Sequence, residues 1–175
     1  MSSTRWPTRR HLRTLTWIGA GSVFFAVVAG ASYVFWPASP PPADSAARIV
    51  AVAVHLKWPA AIALLMVMSL FRIFYDEATL DPLAGRESPR HRINQRVLSN
   101  TVEHLVFFIP AVAALAAGAD TPATWRLVPM AIALFCIGRL LFWAGYHVSP
   151  NARAFGFNLS FSTSAITVIL AFAIG

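Results

Sequence analysis

Several polar side chains lie inside hydrophobic segments of this chain, at spacings that bring them together on a helix. The segment 93–111 reads INQRVLSNTVEHLVFFIPA, and its first half carries Arg96, Asn100 and Glu103. Residues three or four positions apart project from the same side of an α-helix. A charged group near the centre of a bilayer costs at least about 2.5–3.5 kcal/mol. The spacing therefore indicates that these side chains face a protein partner or a ligand.

Further polar residues occur in the neighbouring hydrophobic segments. Arg72 ends the preceding segment, and Arg153 begins the last one. Arg139 and Tyr146, seven residues apart, share one side of the segment between them. Arginine binds carboxylates through paired hydrogen bonds. Together with the polar residues of 93–111, these side chains predict a pocket for a small anion with several carboxylates and at least one ammonium group.

Each of these residues also has a structural interpretation. Arg72 and Arg96 could extend to the membrane surface, and Asn100 could join two helices. Glu103 could form an internal ion pair with Arg96 or Arg139. Because Glu103 lies two turns into its segment, we expect it to be buried beside an arginine of its own subunit or of a neighbour.

The remaining polar residues carry weaker signals. Tyr146 and Arg153, taken alone, could be interfacial residues. His104 lies one step round the helix from the polar stripe and is expected to be a packing or interface residue. No spacing of histidines and carboxylates indicates a metal site. Cys136 is the sole cysteine and lies in an apolar run, which is typical of an inert core thiol.

Transmembrane helices must position these groups. Of the 175 residues, 57% are hydrophobic and 12% are charged, the latter about half the usual fraction of a soluble domain. A span needs about 20 apolar residues, and five such runs occur, at 15–36, 49–72, 97–118, 125–147 and 155–174. The sequence thus predicts an all-α membrane protein with five transmembrane helices. Kinks are expected where prolines fall within spans, at Pro59, Pro110 and Pro129.

The basic residues predict the orientation of the chain. The net charge is +7, and the arginines lie mainly in the N-terminal tail and in the loops after the second and fourth spans. This pattern places the N-terminus in the cytoplasm and the C-terminus outside. It does not resemble a nucleic-acid-binding surface, which interleaves basic and aromatic residues. The flank TRRHLR (8–13) resembles a leader peptide, but the apolar run continues to Trp36, so we expect an uncleaved anchor.

Two motifs resemble those of the MAPEG family, the membrane-associated proteins in eicosanoid and glutathione metabolism, and look closest to its bacterial branch. The first, R-x-x-x-N-x-x-E, consists of Arg96, Asn100 and Glu103. The second, within GRLLFWAGYHVSPNARAFGF, consists of Arg139, Tyr146 and Arg153. The resemblance implies that residues 49–175 form a MAPEG-like bundle of four helices, assembled as a homotrimer in a bacterial inner membrane. Residues 1–48 would be a cytoplasmic basic tail, an extra transmembrane helix and a Pro-rich linker.

The resemblance also implies a ligand, which is glutathione bound between subunits near the cytoplasmic side. By motif, Arg96, Asn100 and Glu103 would hold its carboxylates and amino group. Arg139 and Tyr146 would line the same pocket, and the charge pattern adds Arg72 to the binding residues. Arg153 matches the arginine thought to stabilise the thiolate, the catalytic role. A guanidinium can lower the pKa of a thiol from its ordinary value of about 8.5.

The implied function is a membrane-bound glutathione-dependent transferase or peroxidase that acts on small hydrophobic electrophiles or lipid hydroperoxides. The alternative is a non-catalytic membrane subunit that binds a partner protein or membrane lipids through the same scaffold. A third possibility is a protein that binds lipids or anions in the basic pocket. Phe142 stands where the family often has tyrosine or histidine, and Ala154 and Phe157 stand near a lost aromatic hydroxyl. These departures and the added span favour the subunit, whereas the intact motifs favour the enzyme.

Overall fold

The computed structural model describes residues 9–75, 77–149 and 151–174, and all regular structure in these ranges is helical. The helices are α1 (Arg9–Phe35), α2 (Ser45–His55), α3 (Lys57–Met68), α4 (Pro89–Gly118), α5 (Pro122–Trp125), α6 (Leu127–Val148) and α7 (Arg153–Ile174). Three single-turn 3-10 helices lie between α3 and α4, at Arg72–Phe74, Glu77–Thr79 and Pro82–Ala84.

Five helical stretches are long and apolar enough to cross a membrane. They are Thr14–Phe35, Ser45–Met68, Pro89–Gly118, Pro122–Val148 and Arg153–Ile174. Each overlaps one of the five predicted spans, so the all-α fold with five membrane-spanning helices is confirmed. The third span begins earlier than expected because Ser88 caps the helix, accepting a hydrogen bond from the His91 amide at 3.2 Å.

Two of the five spans are interrupted near a proline. The second divides into α2 and α3 at Leu56, and the fourth divides into α5 and α6 at Arg126. Each division lies three residues before a proline, Pro59 or Pro129, whose nitrogen has no hydrogen to donate to the preceding turn. Pro110 lies inside α4 without dividing it.

The bundle is centred on α6, which packs against α3, α4 and α7. Phe108 of α4 stacks on Phe135 of α6 with ring centroids 4.2 Å apart, and both are fully buried. Glycines bring the backbones of α6 and α7 together. A Cβ atom on Gly138 would lie 2.7 Å from the Ser160 nitrogen, and one on Gly156 would lie 2.0 Å from the Phe142 nitrogen.

The first helix, α1, packs beside these helices, mainly against α7. Gly21 allows the close approach, since a Cβ atom there would lie 2.4 Å from the Asn158 side-chain nitrogen. Trp17 and Phe24 both contact the ring of Phe155 edge-on, at centroid distances of 5.6 and 5.7 Å. At the other end of the helix, the Arg126 guanidinium lies 3.9 Å from the Tyr33 ring centroid.

Candidate functional site

A cavity of about 730 Å³ lies between α1, α4, α6 and α7. Its lining includes five of the seven residues that the sequence singled out, namely Arg96, Asn100, Glu103, Tyr146 and Arg153. These residues come from three helices and are separated by up to 57 positions in the chain. The fold therefore assembles most of the predicted polar cluster around one space.

The polar wall of the cavity follows from the register of α4. Arg96, Asn100 and Glu103 recur at four and three residues, so they occupy one side of the helix. The adjacent side carries Val97 and Thr101, which are buried in the bundle. Asn100 is half-buried, whereas Arg96 and Glu103 are exposed in the single chain. The Asn100 amide lies 3.4 Å from the Glu103 carboxylate.

Arg139 lies behind this wall, where it supports Asn100. Its side chain is fully buried and donates to the Asn100 side-chain oxygen at 2.9 Å. It also donates to the Ser160 hydroxyl of α7. A guanidinium has only donors, so this bond fixes the oxygen of Asn100 toward α6 and leaves its NH₂ group directed toward Glu103. The sequence predicted that Arg139 would line the cavity. Instead, Arg139 lies behind the lining and orients Asn100, which does line it.

Tyr146 and Arg153 form a second polar contact at the cavity. The Arg153 guanidinium donates to the Tyr146 hydroxyl and lies 4.6 Å from the centroid of its ring. The start of α7 packs closely against α6 at this point. A Cβ atom on Gly145 would lie 2.8 Å from the backbone of Ala152 and Arg153. This close packing places the first residue of α7 beside the last turns of α6, and both side chains are half-buried.

Comparison with protein-family models matched residues 49–173 to the MAPEG family. The chain belongs to the MAPEG family. No curated protein and no solved structure matched the chain. The matched region contains both polar motifs, and it covers four of the five membrane-spanning helices. It leaves out α1, although α1 lines the cavity.

Within the single MAPEG chain, Glu103 differs from expectation. It was expected to be buried beside an arginine, but its side chain is exposed. The ion pairs found among the described residues all involve Glu87. The proposed internal pair with Arg139 does not form, because Arg139 is held between α4, α6 and α7 by Asn100 and Ser160. An arginine from a neighbouring subunit remains a prediction.

Arg72 also lies away from the MAPEG cavity. It follows α3 in a 3-10 turn, where it pairs with Glu87 at 2.9 Å and donates to the Thr79 carbonyl oxygen. The hydrogen bond from Arg72 holds the pKa of the Glu87 carboxyl below its ordinary value. Glu87 in turn accepts a hydrogen bond from Gln95 at 3.0 Å, and Gln95 lines the cavity. Arg72 therefore reaches the cavity only through two intervening side chains.

A polar network beside the cavity was missed in the sequence. The Asn94 side-chain oxygen accepts a hydrogen bond from the Trp143 indole at 2.9 Å and lies 2.9 Å from a His147 ring nitrogen. Its amide nitrogen donates to the Tyr75 hydroxyl at 2.9 Å. This network joins α4, α6 and the loop before α4. Asn94 is adjacent to Gln95 and Arg96 in one polar turn of the helix, and this feature of the sequence could have indicated the network.

Proposed function

We propose that this protein is a membrane-bound glutathione-dependent transferase or peroxidase that acts on hydrophobic electrophiles or lipid hydroperoxides. The observation that carries the proposal is the gathering of five motif residues around one cavity in a chain of the MAPEG family. These residues belong to two separate motifs. The spacing within one motif does not predict that its residues share a cavity with those of the other.

The polar wall matches the charges of glutathione, which carries two carboxylates and one ammonium group. Arg96 offers a planar guanidinium to a carboxylate, and Glu103 offers a carboxylate to the ammonium group. The Asn100 NH₂ group, oriented by Arg139, can donate to a peptide carbonyl or to a carboxylate. A volume of about 730 Å³ lies within the usual range of ligand pockets, about 300–1,000 Å³.

Arg153 and Tyr146 are placed to favour a thiolate. Glutathione supplies a thiol, whose deprotonated form is the nucleophile. The Arg153 guanidinium brings a fixed positive charge to the cavity. Because the Tyr146 oxygen accepts a hydrogen bond from Arg153, its own hydroxyl hydrogen can be donated to a ligand atom. Two donors can therefore converge on one developing negative charge.

The exposed Glu103 supports assembly with neighbouring subunits, and we propose the homotrimer that the family resemblance implies, with glutathione between subunits. A carboxylate on a membrane-spanning helix is costly unless a cation or water meets it. Within one subunit Glu103 has only the Asn100 amide as a hydrogen-bond partner among the described residues. A neighbouring subunit that brings an arginine to this side of α4 would supply the missing charge. We propose that the N-terminus lies in the cytoplasm and the C-terminus outside, with the cavity at the cytoplasmic side of an inner membrane. We further propose that residues 1–48 are a unit added to the four-helix domain 49–175.

Calorimetry of the purified protein with glutathione tests the proposal, with Arg96→Leu as the variant. Loss of a charge-assisted hydrogen bond pair is expected to weaken binding about tenfold or more. The matched control is Arg92→Leu, one turn earlier on α4, where the exposed side chain does not line the cavity. Equal affinity in both variants and the wild type contradicts the placement of Arg96, and absence of any binding contradicts the glutathione proposal.

One observation favours a second candidate function, a non-catalytic membrane subunit. Phe142 and Phe157 line the cavity with rings that carry no hydroxyl, so fewer hydrogen bonds are available to a peptide. If the wild type binds no glutathione and converts no chlorodinitrobenzene, the subunit is the better description. Co-purification of a stoichiometric partner protein or lipid would then be the expected result.

A further inference from the structure

The cavity has two chemically different sides, and α1 forms part of the apolar one. Thr14, Trp17 and Ile18 line the cavity from α1. They recur at three and four residues, so they occupy one side of that helix. Phe142 of α6 and Phe157 of α7 extend the apolar side. The helix lies outside the family match over 49–173, so this chain adds a wall to the cavity that the matched region does not encode.

Packing fixes the position of Trp17 on this wall. Its indole and the Phe155 ring are nearly perpendicular, with centroids 5.6 Å apart. One turn further along α1, Gly21 lies against the Asn158 side chain so closely that a Cβ atom would not fit. Asn158 itself lines the cavity and donates to the Ala154 carbonyl oxygen at 2.9 Å. The indole is half-buried, so part of its surface remains available to a ligand.

We infer that Trp17 is a specificity-determining residue that binds the aromatic body of the electrophilic substrate. This inference rests on the proposed function. Trp17 presents a rigid, flat, apolar surface to a cavity that the charged groups of α4 also line, and such surfaces bind aromatic rings by offset or edge-on contact. Arg153 and the adjacent Ala154 line the same cavity as Trp17. A thiolate held at Arg153 would therefore share the cavity with an electrophile that rests on the α1 wall.

The chemistry that this arrangement serves is aromatic substitution. With chlorodinitrobenzene, the sulfur of glutathione forms a bond to the ring carbon, and the carbon–chlorine bond breaks with release of chloride. The thiol proton is lost to solvent. The product, the S-dinitrophenyl conjugate of glutathione, joins the glutathione peptide and the aromatic ring of the electrophile in one molecule. It therefore probes the polar and apolar sides of the cavity together.

Calorimetry with glutathione and with this conjugate tests the inference in the full chain. We expect the wild type to bind the conjugate about three- to tenfold more tightly than glutathione. This is the gain in affinity expected from one aromatic contact. Trp17→Ala should lose that difference while its glutathione affinity stays within about twofold, and Trp17→Phe should keep most of it. The matched control is Leu15→Ala, because Leu15 is exposed on α1 and does not line the cavity.

A second pair of variants tests the wall without changing Trp17. Gly21→Leu must displace α1 or Asn158, and it should lose the preference for the conjugate. Gly19→Leu should keep it, since a Cβ atom at Gly19 meets nothing within 4 Å. If Trp17→Ala keeps the preference or weakens both ligands equally, the inference is wrong while glutathione binding still supports the proposed function. If neither ligand binds the wild type, the proposed function and the inference fail together.

Discussion

Replacement of Arg153 by leucine is expected to slow turnover at neutral pH by raising the pKa of the glutathione thiol. Two unit charges about 4 Å apart interact by about 4 kcal/mol near a protein surface and by about 1 kcal/mol in water. Arg153 is half-buried at an open cavity, so we take about 2 kcal/mol, which corresponds to about 1.5 pKa units. The thiolate fraction near pH 7 should then fall by more than about tenfold.

A second effect partly offsets this loss. A thiolate with a higher pKa is a better nucleophile, with a Brønsted slope of about 0.4–0.5, so about fivefold of the rate is regained. The net loss near pH 7 is therefore only about three- to sixfold. At a pH above both thiol pKa values, Arg153→Leu should be at least as fast as the wild type. This crossing of the two rate profiles is the distinctive expectation.

The assay is the rate with chlorodinitrobenzene from about pH 6.5 to about pH 10.5 (about two units on either side of the ordinary thiol pKa of about 8.5), measured beside the thiolate absorbance of the bound ligand. Arg153→Lys should restore part of the shift, because it keeps a charge without the planar group. Arg92→Leu, outside the cavity, should leave the profile unchanged. A loss for Arg153→Leu that is constant across the whole range would refute the thiolate reasoning. Such a result would assign Arg153 to binding or to the transition state instead.

Four further expectations follow from particular contacts. Gly156→Ala should destabilise the protein by about 1–3 kcal/mol in thermal unfolding, because its Cβ atom would lie 2.0 Å from the Phe142 nitrogen. The control, Gly30→Ala, should be neutral, because a Cβ atom there meets nothing within 4 Å. The pKa of Glu87 is lowered in the folded protein, so its contribution to stability is present above its unfolded pKa and is lost as the pH falls through the lower folded value. The thermal midpoint should therefore fall more in the wild type than in Glu87→Gln as the pH drops below about 4.5. Reporter fusions should place Gly85 in the cytoplasm and the C-terminus outside, and a cytoplasmic C-terminus would contradict the predicted orientation. Arg139→Met should bind glutathione about tenfold more weakly without loss of thermal stability.

The sequence was most informative where a physical rule acts along one helix. Apolar length identified the five spans, and the helical repeat placed Arg96, Asn100 and Glu103 on one side of α4. The sequence was less informative where two helices meet. The same repeat placed Arg139 and Tyr146 together on α6, yet only Tyr146 lines the cavity. The repeat gives the direction of a side chain from its own helix axis, but the neighbouring helix decides whether that direction is open or filled.

The position of α1 could not be predicted for a related reason. Its contacts with α7 depend on Gly21 and on Trp17, and neither residue belongs to a recognisable motif. A span of apolar residues is stable in the lipid bilayer at any position around the bundle. Which side of the bundle it covers is decided by small differences in packing, which pairwise spacing along the chain does not encode.

The expectation for Arg139 rests on the cost of a buried charge without a carboxylate. Arg139 is fully buried, and the partners found for it among the described residues are the neutral Asn100 and Ser160. Replacing a buried ion pair with apolar residues of similar volume is often neutral or stabilising by about 1–4 kcal/mol, and replacing Arg139 would leave no uncompensated charge because its partners are neutral. Asn100 and Ser160 keep other hydrogen bonds, to Glu103 and to the Gly156 carbonyl oxygen.

Stability alone therefore gives no reason for an arginine at position 139, but the site does. Without the guanidinium, the Asn100 oxygen loses the donor that orients it, and only the long 3.4 Å contact with Glu103 still directs the NH₂ group, so the amide is less firmly oriented toward the ligand. Arg139→Met should then unfold at the same temperature as the wild type, or a higher one, while calorimetry shows weaker glutathione binding. Asn100→Ala should weaken binding by a similar factor, and the double variant should be no weaker than either single variant, because both remove one oriented donor. Additive losses in the double variant would show that Arg139 acts on the ligand by a route that does not pass through Asn100.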